Sequence, residues 1–153
     1  MAESDFVHVI YISAKPQQVW DALIKPELTR QYWGQVNVSD WKPGATWEHR
    51  DPEPSNAVRI AGRVVEFTPP RRLVLTWAFP ADAANVAVHS QVTIELEPIE
   101  EMVRLTVTHS RMAPGSEMLR GISEGWPRVL SSLKSFLETG KPLPTWAKAP
   151  AKA

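Results

Sequence analysis

Residues 116–140 read SEMLRGISEGWPRVLSSLKSFLETG, and their apolar side chains recur at helical rather than strand spacing. Ile122, Trp126, Leu130, Leu133 and Leu137 stand four, four, three and four residues apart, one stripe down one face. The stretch predicts a long amphipathic helix from about Ser116 to Thr139, stopped by Gly140 and Pro142. Pro127 lies inside the pattern and removes the bond to the carbonyl of Ser123, which predicts a kink or a helix that starts near Trp126.

Upstream of this helix lie four runs with the period of strands: Val58–Phe67, Arg71–Phe79, Val86–Glu97 and Met102–His109. In the third, Val86, Val88, Val92, Ile94 and Leu96 fall on one parity, and His89, Gln91, Thr93, Glu95 and Glu97 on the other. That is the signature of an antiparallel strand with one buried face. Leu73, Leu75, Trp77 and Phe79 form a similar stripe, as do Val103, Leu105, Val107 and His109. Pro98 to Glu101 is a tight hairpin connection. At the other end of the chain, Phe6–Ser13 predicts a first strand. Pro16 then opens a helix whose inner face is Val19, Trp20, Leu23 and Ile24, and Pro26 opens a second, shorter one to about Gln31. Two short strands follow near 35–41 and 45–50, and Asp51–Ala57 is a polar, mobile surface loop.

The expected order is β-α-α-β-β-β-β-β-β-α, an α+β fold. Six or seven antiparallel strands with one apolar face need a cover, and only one long amphipathic helix is available. A twisted sheet is wider than a single helix about 10 Å across, so it must curve around the helix and leave a hollow at the ends of that grip.

The chain has 153 residues, which predicts one domain over 1–140 and a Pro-, Ala- and Lys-rich tail over 141–153. Seventeen basic residues balance seventeen acidic ones, without the basic excess of a nucleic-acid binder. Cysteine is absent, which excludes disulfides, thiolate catalysis and cysteine-ligated zinc. No apolar run approaches the roughly 18 residues of a membrane span, and the N-terminus does not read as a secretion signal. The expectation is a soluble, cytoplasmic domain with no membrane or nucleic-acid partner.

Gly121-Ile-Ser-Glu-Gly125 matches the G-x-S-x-G nucleophile elbow in letters. The elbow needs a strand before the serine and a histidine later in the chain. Neither is present, so the glycines read as close packing of a helix on a sheet. The four histidines, at 8, 49, 89 and 109, are too dispersed for metal-ligand spacing. No metal, no cofactor and no catalytic set are predicted. His109 shares the parity of the buried stripe, and is either a hydrogen-bonded core residue or the polar anchor of an apolar pocket. Of seven tryptophans, Trp20 reads as core, whereas Trp33, Trp47, Trp77 and Trp126 are candidates to line a cavity. The full candidate lining is Trp33, Trp47, Leu75, Trp77, Val92, Ile94, Leu105, Val107, His109, Trp126 and Leu130.

A set of residues in order resembles one known family. It begins with Pro16-x-x-Val19-Trp20-x-Ala22-Leu23, Pro26-Glu27 and Trp33, and continues through Gly44, Gly62-x-Val64-x-Glu66 and Pro69-Pro70-x-x-Leu73-x-x-x-Trp77. It closes with Val92-x-Ile94-x-Leu96, Leu105-x-Val107-x-His109 and Gly125-Trp126-x-x-x-Leu130-x-x-Leu133. This pattern is similar to the activator-of-Hsp90-ATPase-like proteins of the START/Bet v 1-like (SRPBCC) superfamily. The resemblance implies the helix-grip fold and a pocket for an apolar or amphipathic small molecule, with no shared catalytic residues. It also implies an alternative, a co-chaperone-type protein-interaction domain. A cyclase or hydrolase built on the same cavity is the third reading. The expected assembly is a monomer or weak homodimer.

Overall fold

The computed structural model describes residues 4–144. Seven strands form one antiparallel sheet: β1 (Ser4–Ile12), β2 (Val36–Ser39), β3 (Thr46–Arg50), β4 (Val58–Thr68), β5 (Arg72–Trp77), β6 (Ser90–Ile99) and β7 (Met102–Met112). Their order across the sheet is β1-β7-β6-β5-β4-β3-β2. Between β1 and β2 lie α1 (Pro16–Ile24) and α2 (Pro26–Tyr32), and α3 (Glu117–Thr139) ends the fold. The helix-grip architecture expected from the sequence is present, in the expected element order.

Each helix begins where the sequence places a start. Pro16 occupies the first turn of α1, and the Gln18 side chain accepts the Lys15 N–H at 2.8 Å. The Ser116 hydroxyl caps α3 by accepting from Leu119 N at 3.1 Å, and Gly140 ends it with a φ of 83°. The helix does not start at Trp126. It runs through Pro127 as one element, because Ile122, Trp126, Leu130 and Leu133 are all buried against the sheet and hold both halves on the same stripe.

One predicted strand is shorter than its pattern. Val86–Val88 is a 3₁₀ turn, and both valines are exposed. The apolar alternation reaches Val86, but the last β5–β6 pair is Trp77 with Ser90, and the β6–β7 ladder begins at Gln91 with Ser110. Among the described residues no strand flanks 86–88, so they have no ladder to join. His89 closes the turn against the sheet, with Nδ1 2.9 Å from Thr76 Oγ1 and Nε2 3.0 Å from the Asp82 carbonyl. Phe79, predicted on the β5 stripe, likewise lies beyond the strand and is partly exposed. The acidic residues near the β6–β7 hairpin are on the outer face. There Arg72 bridges Glu66 at 3.0 Å and Glu95 at 2.6 Å, and Arg104 pairs with Glu97.

The chain after α3 folds back on it for a few residues, since Ser132 Oγ accepts from Leu143 N at 3.1 Å and donates to Tyr32 O at 2.7 Å. The rest of the expected tail, from residue 145, lies outside the described residues.

Gly62 marks the tightest approach in the sheet. Trp47, on β3, passes its indole over this residue of β4 and donates to the Thr76 carbonyl of β5 at 2.8 Å. A Cβ at position 62 would stand 1.9 Å from that carbonyl oxygen and 2.7 Å from Trp47 Nε1. Both the β4–β5 spacing and the indole bond would have to give. Gly62→Ala should therefore cost about 3 kcal/mol or more, measured as a loss in urea unfolding. A loss below about 1 kcal/mol would show that the sheet relaxes freely at this point.

Candidate functional site

The concave face of the sheet is filled at its centre and hollow at one end. Leu130 and Leu133 of α3 are fully buried in the same core cluster as Val92, Leu105 and Val107. Nearer the start of α3 the helix presents Gly121 and Gly125, one turn apart on one face. A Cβ added at Gly121 would meet nothing within 4 Å. The sequence expectation of close helix–sheet packing is overturned at Gly121, and both glycines stand on the wall of a cavity of about 810 Å³. α3 contributes Met118, Ile122, Trp126 and Val129 to its wall, and the segment after α2 contributes Trp33, Gly34 and Gln35. His49, Asp51 and Pro52 come from the end of β3, Arg59 and Ile60 from β4, and Trp77 and Phe79 from the end of β5.

Three of the eleven predicted lining residues stand on this wall: Trp33, Trp77 and Trp126. Their rings pack as a group, with Trp126 centred 5.7 Å from Trp33 and 5.4 Å from Trp77. Trp47 is one layer behind, 5.2 Å from Trp77 and sealed by its bond to Thr76. Leu75, Val92, Ile94, Leu105, Val107 and Leu130 are packed in the core rather than set on the cavity wall. Among the described residues the tryptophans thus form two groups, since Trp20 and Trp41 pack instead around Phe67, at 5.3 and 6.1 Å.

His109 is not on the wall either, and both its ring nitrogens are used. An indole N–H can only donate, so His109 Nδ1 accepts from Trp126 Nε1 at 3.2 Å. The proton therefore sits on Nε2, which donates to Ser90 Oγ at 2.8 Å. Ser90 in turn donates to the Trp77 carbonyl at 3.0 Å. His109 is fully buried, and burial pushes its pKa down to about 3. It acts on the cavity indirectly, by fixing the Trp126 ring from behind.

The polar group that does face the cavity is His49. It is 5% exposed, and its ring centroid lies 4.6 Å from that of Trp33. Asn37, its direct neighbour across the β2–β3 ladder, donates through Nδ2 to the Leu23 carbonyl at 3.0 Å. The Asn37 oxygen is thereby turned to His49 Nδ1 at 2.6 Å, and an amide oxygen can only accept. So Nδ1 carries the proton and Nε2 carries a free lone pair. Nε2 has no partner among the described residues, yet it is not among the sealed unpartnered atoms, which are Trp20 Nε1 and Trp77 Nε1. His49 is itself on the cavity wall, so the space open to its ring is the cavity. Burial lowers the His49 pKa to about 4, against a smaller opposing pull from Asp51.

At the mouth, Arg59 clamps Asp51 with Nη2–Oδ2 at 2.5 Å and Nε at 3.1 Å from both oxygens. Gln35 adds a bond to Asp51 at 3.2 Å, and these contacts, the Arg59 bond first, hold the Asp51 carboxyl below its ordinary range. The site is an aromatic pocket with a neutral acceptor inside and an ion pair at the rim. Among the described residues no group of three metal-ligating side chains is arranged to hold a metal ion. The sequence reading missed His49, though it shares strand parity with Trp47, because a five-residue strand offers too few alternations to declare its inner face.

A family model described as Activator of Hsp90 ATPase homolog 1-like protein matches residues 13–138. Among solved structures, the chain is similar to the Aha1 dimer from Colwellia psychrerythraea, with 22% identity and a TM-score of 0.71 over 90% of this chain and 98% of that one. It is similar to ChR145 from Cytophaga hutchinsonii, with 25% identity and a TM-score of 0.72 over 92% and 97%. It also resembles an HSP90 activator from Plasmodium falciparum, with 23% identity and a TM-score of 0.65 over 80% and 86%. No curated protein matches.

The two buried imidazoles have a consequence for acid stability. In the unfolded chain each titrates near 6.5, whereas the folded chain keeps them neutral to about 4 and about 3. As pH falls from 6.5 to 4 the unfolded state takes up protons that the folded state does not. Stability should then fall by about 1.4 kcal/mol per pH unit for each histidine. Urea midpoints across that window should drop steadily, and a flat profile would mean that these rings are hydrated or already charged.

Proposed function

The chain belongs to the Activator of Hsp90 ATPase homolog 1-like family, and from that premise we propose that it binds an apolar or amphipathic small molecule in the cavity between α3 and the sheet. One observation carries this reading: α3 places two glycines, Gly121 and Gly125, on the wall of the space between helix and sheet. Glycine within a helix costs roughly 0.5–1 kcal/mol relative to alanine. A side chain at Gly121 would meet nothing within 4 Å, so close packing does not require glycine there, and its absence leaves open a space of about 810 Å³. Such a volume suits a molecule of drug size, and tryptophan faces with a few polar groups are the usual lining of such sites. The rim of Asp51, Arg59, Gln35 and Glu117 suits a polar end left near solvent.

A protein-interaction role is the second reading, and the feature that favours it is the edge strand β1. Val7, Val9 and Tyr11 are exposed along it at 58%, 44% and 43%. An apolar sheet edge is open to pairing with another chain.

The binding reading is tested with N-phenyl-1-naphthylamine, a neutral apolar probe whose emission rises out of water. Native protein should take it up and lose tryptophan emission. Gly121→Phe should abolish uptake while the protein stays folded, because the new ring projects into empty space on a helix that gains a better former. Absence of uptake by the native protein, or undiminished uptake by Gly121→Phe, would overturn the reading and leave protein interaction as the better account.

A further inference from the structure

We infer that the cavity selects a flat aromatic molecule whose inner edge carries a hydroxyl, and that the hydroxyl donates to His49 Nε2. This rests on the cavity being the binding site and adds what the bound molecule must offer. The inner wall presents three indoles and one imidazole, Trp33, Trp77, Trp126 and His49, with ring centroids 4.6 to 6.4 Å apart along adjacent members. Rings set at that spacing meet an incoming aromatic ring by offset or edge contacts.

Among those four rings only His49 offers an acceptor to an occupant. Trp126 Nε1 is committed to His109, and Trp77 Nε1 is sealed from the cavity. Trp33 lacks an acceptor, as every indole does. The polarity of His49 is dictated from behind by Leu23 O and Asn37, which leave Nε2 as a lone pair and never as a donor while the ring is neutral. A purely apolar occupant would cover that lone pair and leave it unsatisfied, which is costly in a dry site. A carboxylate would turn negative oxygens toward it and be repelled. A neutral ring hydroxyl satisfies it, and the ring behind the hydroxyl fills the aromatic box. The groups that could alter the charge of His49 are few: Asp51 on the loop that follows its own strand, Arg59 of β4 paired to that carboxylate, and Glu117 of α3 across the mouth.

The test compares 2-naphthol with 2-methoxynaphthalene, which cannot donate, and with naphthalene as a size control. On the native protein at pH 7, 2-naphthol should bind about fivefold to tenfold tighter than either. His49→Phe keeps a ring in place and should reduce that preference to about one. Because this substitution also strips Asn37 of its partner, the native protein supplies an independent readout. In a long-range nitrogen-15 spectrum the His49 Nε2 resonance should move on adding 2-naphthol, and not on adding 2-methoxynaphthalene. Equal affinity for all three probes, or a preference that survives His49→Phe, would overturn the inference while leaving the binding site intact. Failure of all three to bind would instead remove the cavity reading on which it rests.

Discussion

The indole N–H of Trp126 meets His109 Nδ1 at 3.2 Å, and this bond joins α3 to the sheet at the end where the molecule is hollow. It is the first link of a chain that passes through His109 Nε2 and Ser90 Oγ to the Trp77 carbonyl. Each link has one possible direction, because the indole can only donate and the backbone carbonyl can only accept. A proton added to His109 would set two donors against each other at Trp126. The chain is thus complete only with a neutral, buried imidazole, and burial holds it neutral to about pH 3. What the chain secures is the position of Trp77 and Trp126, two walls of the cavity, without using any group that a ligand could need.

From this follows a division of labour along α3. Its later half closes the core with Leu130 and Leu133, both fully buried. Its earlier half carries Gly121 and Gly125 on the cavity wall and is tied by the Trp126 bond and the Ser116 cap. A helix that packed along its full length would gain stability and lose the space. The molecule has a solid half and an open half, and the boundary runs through Trp126.

Much of this was legible in the sequence, and the failures have physical causes. The i, i+4 stripe of α3 and the alternations of β5, β6 and β7 were sufficient for the element order, because those periods persist over many residues. The apolar alternation of β6 continues to Val86, beyond the ladder itself, since apolar parity records a face but not a neighbour strand. Leu75, Ile94 and Leu105 have the pattern of cavity-lining residues yet lie in the core, because the sequence shows which side chains are large and not where a helix leaves room. Trp33, Trp77 and Trp126 were found by residue type. His49 is not legible in this way, because its role depends on the β2–β3 register that sets Asn37 directly opposite it. The letters G-x-S-x-G invited a chemical reading, whereas their use here is the absence of two side chains.

The central claim, that one end of the grip is an open aromatic site and the other is solid, is tested most directly by indole N–H resonances during titration with an aromatic probe. The account predicts shifts at Trp33, Trp77 and Trp126, with Trp20 and Trp41 unmoved around Phe67 at the far cluster. Shifts centred on Trp20 and Trp41, or none at Trp126, would contradict it.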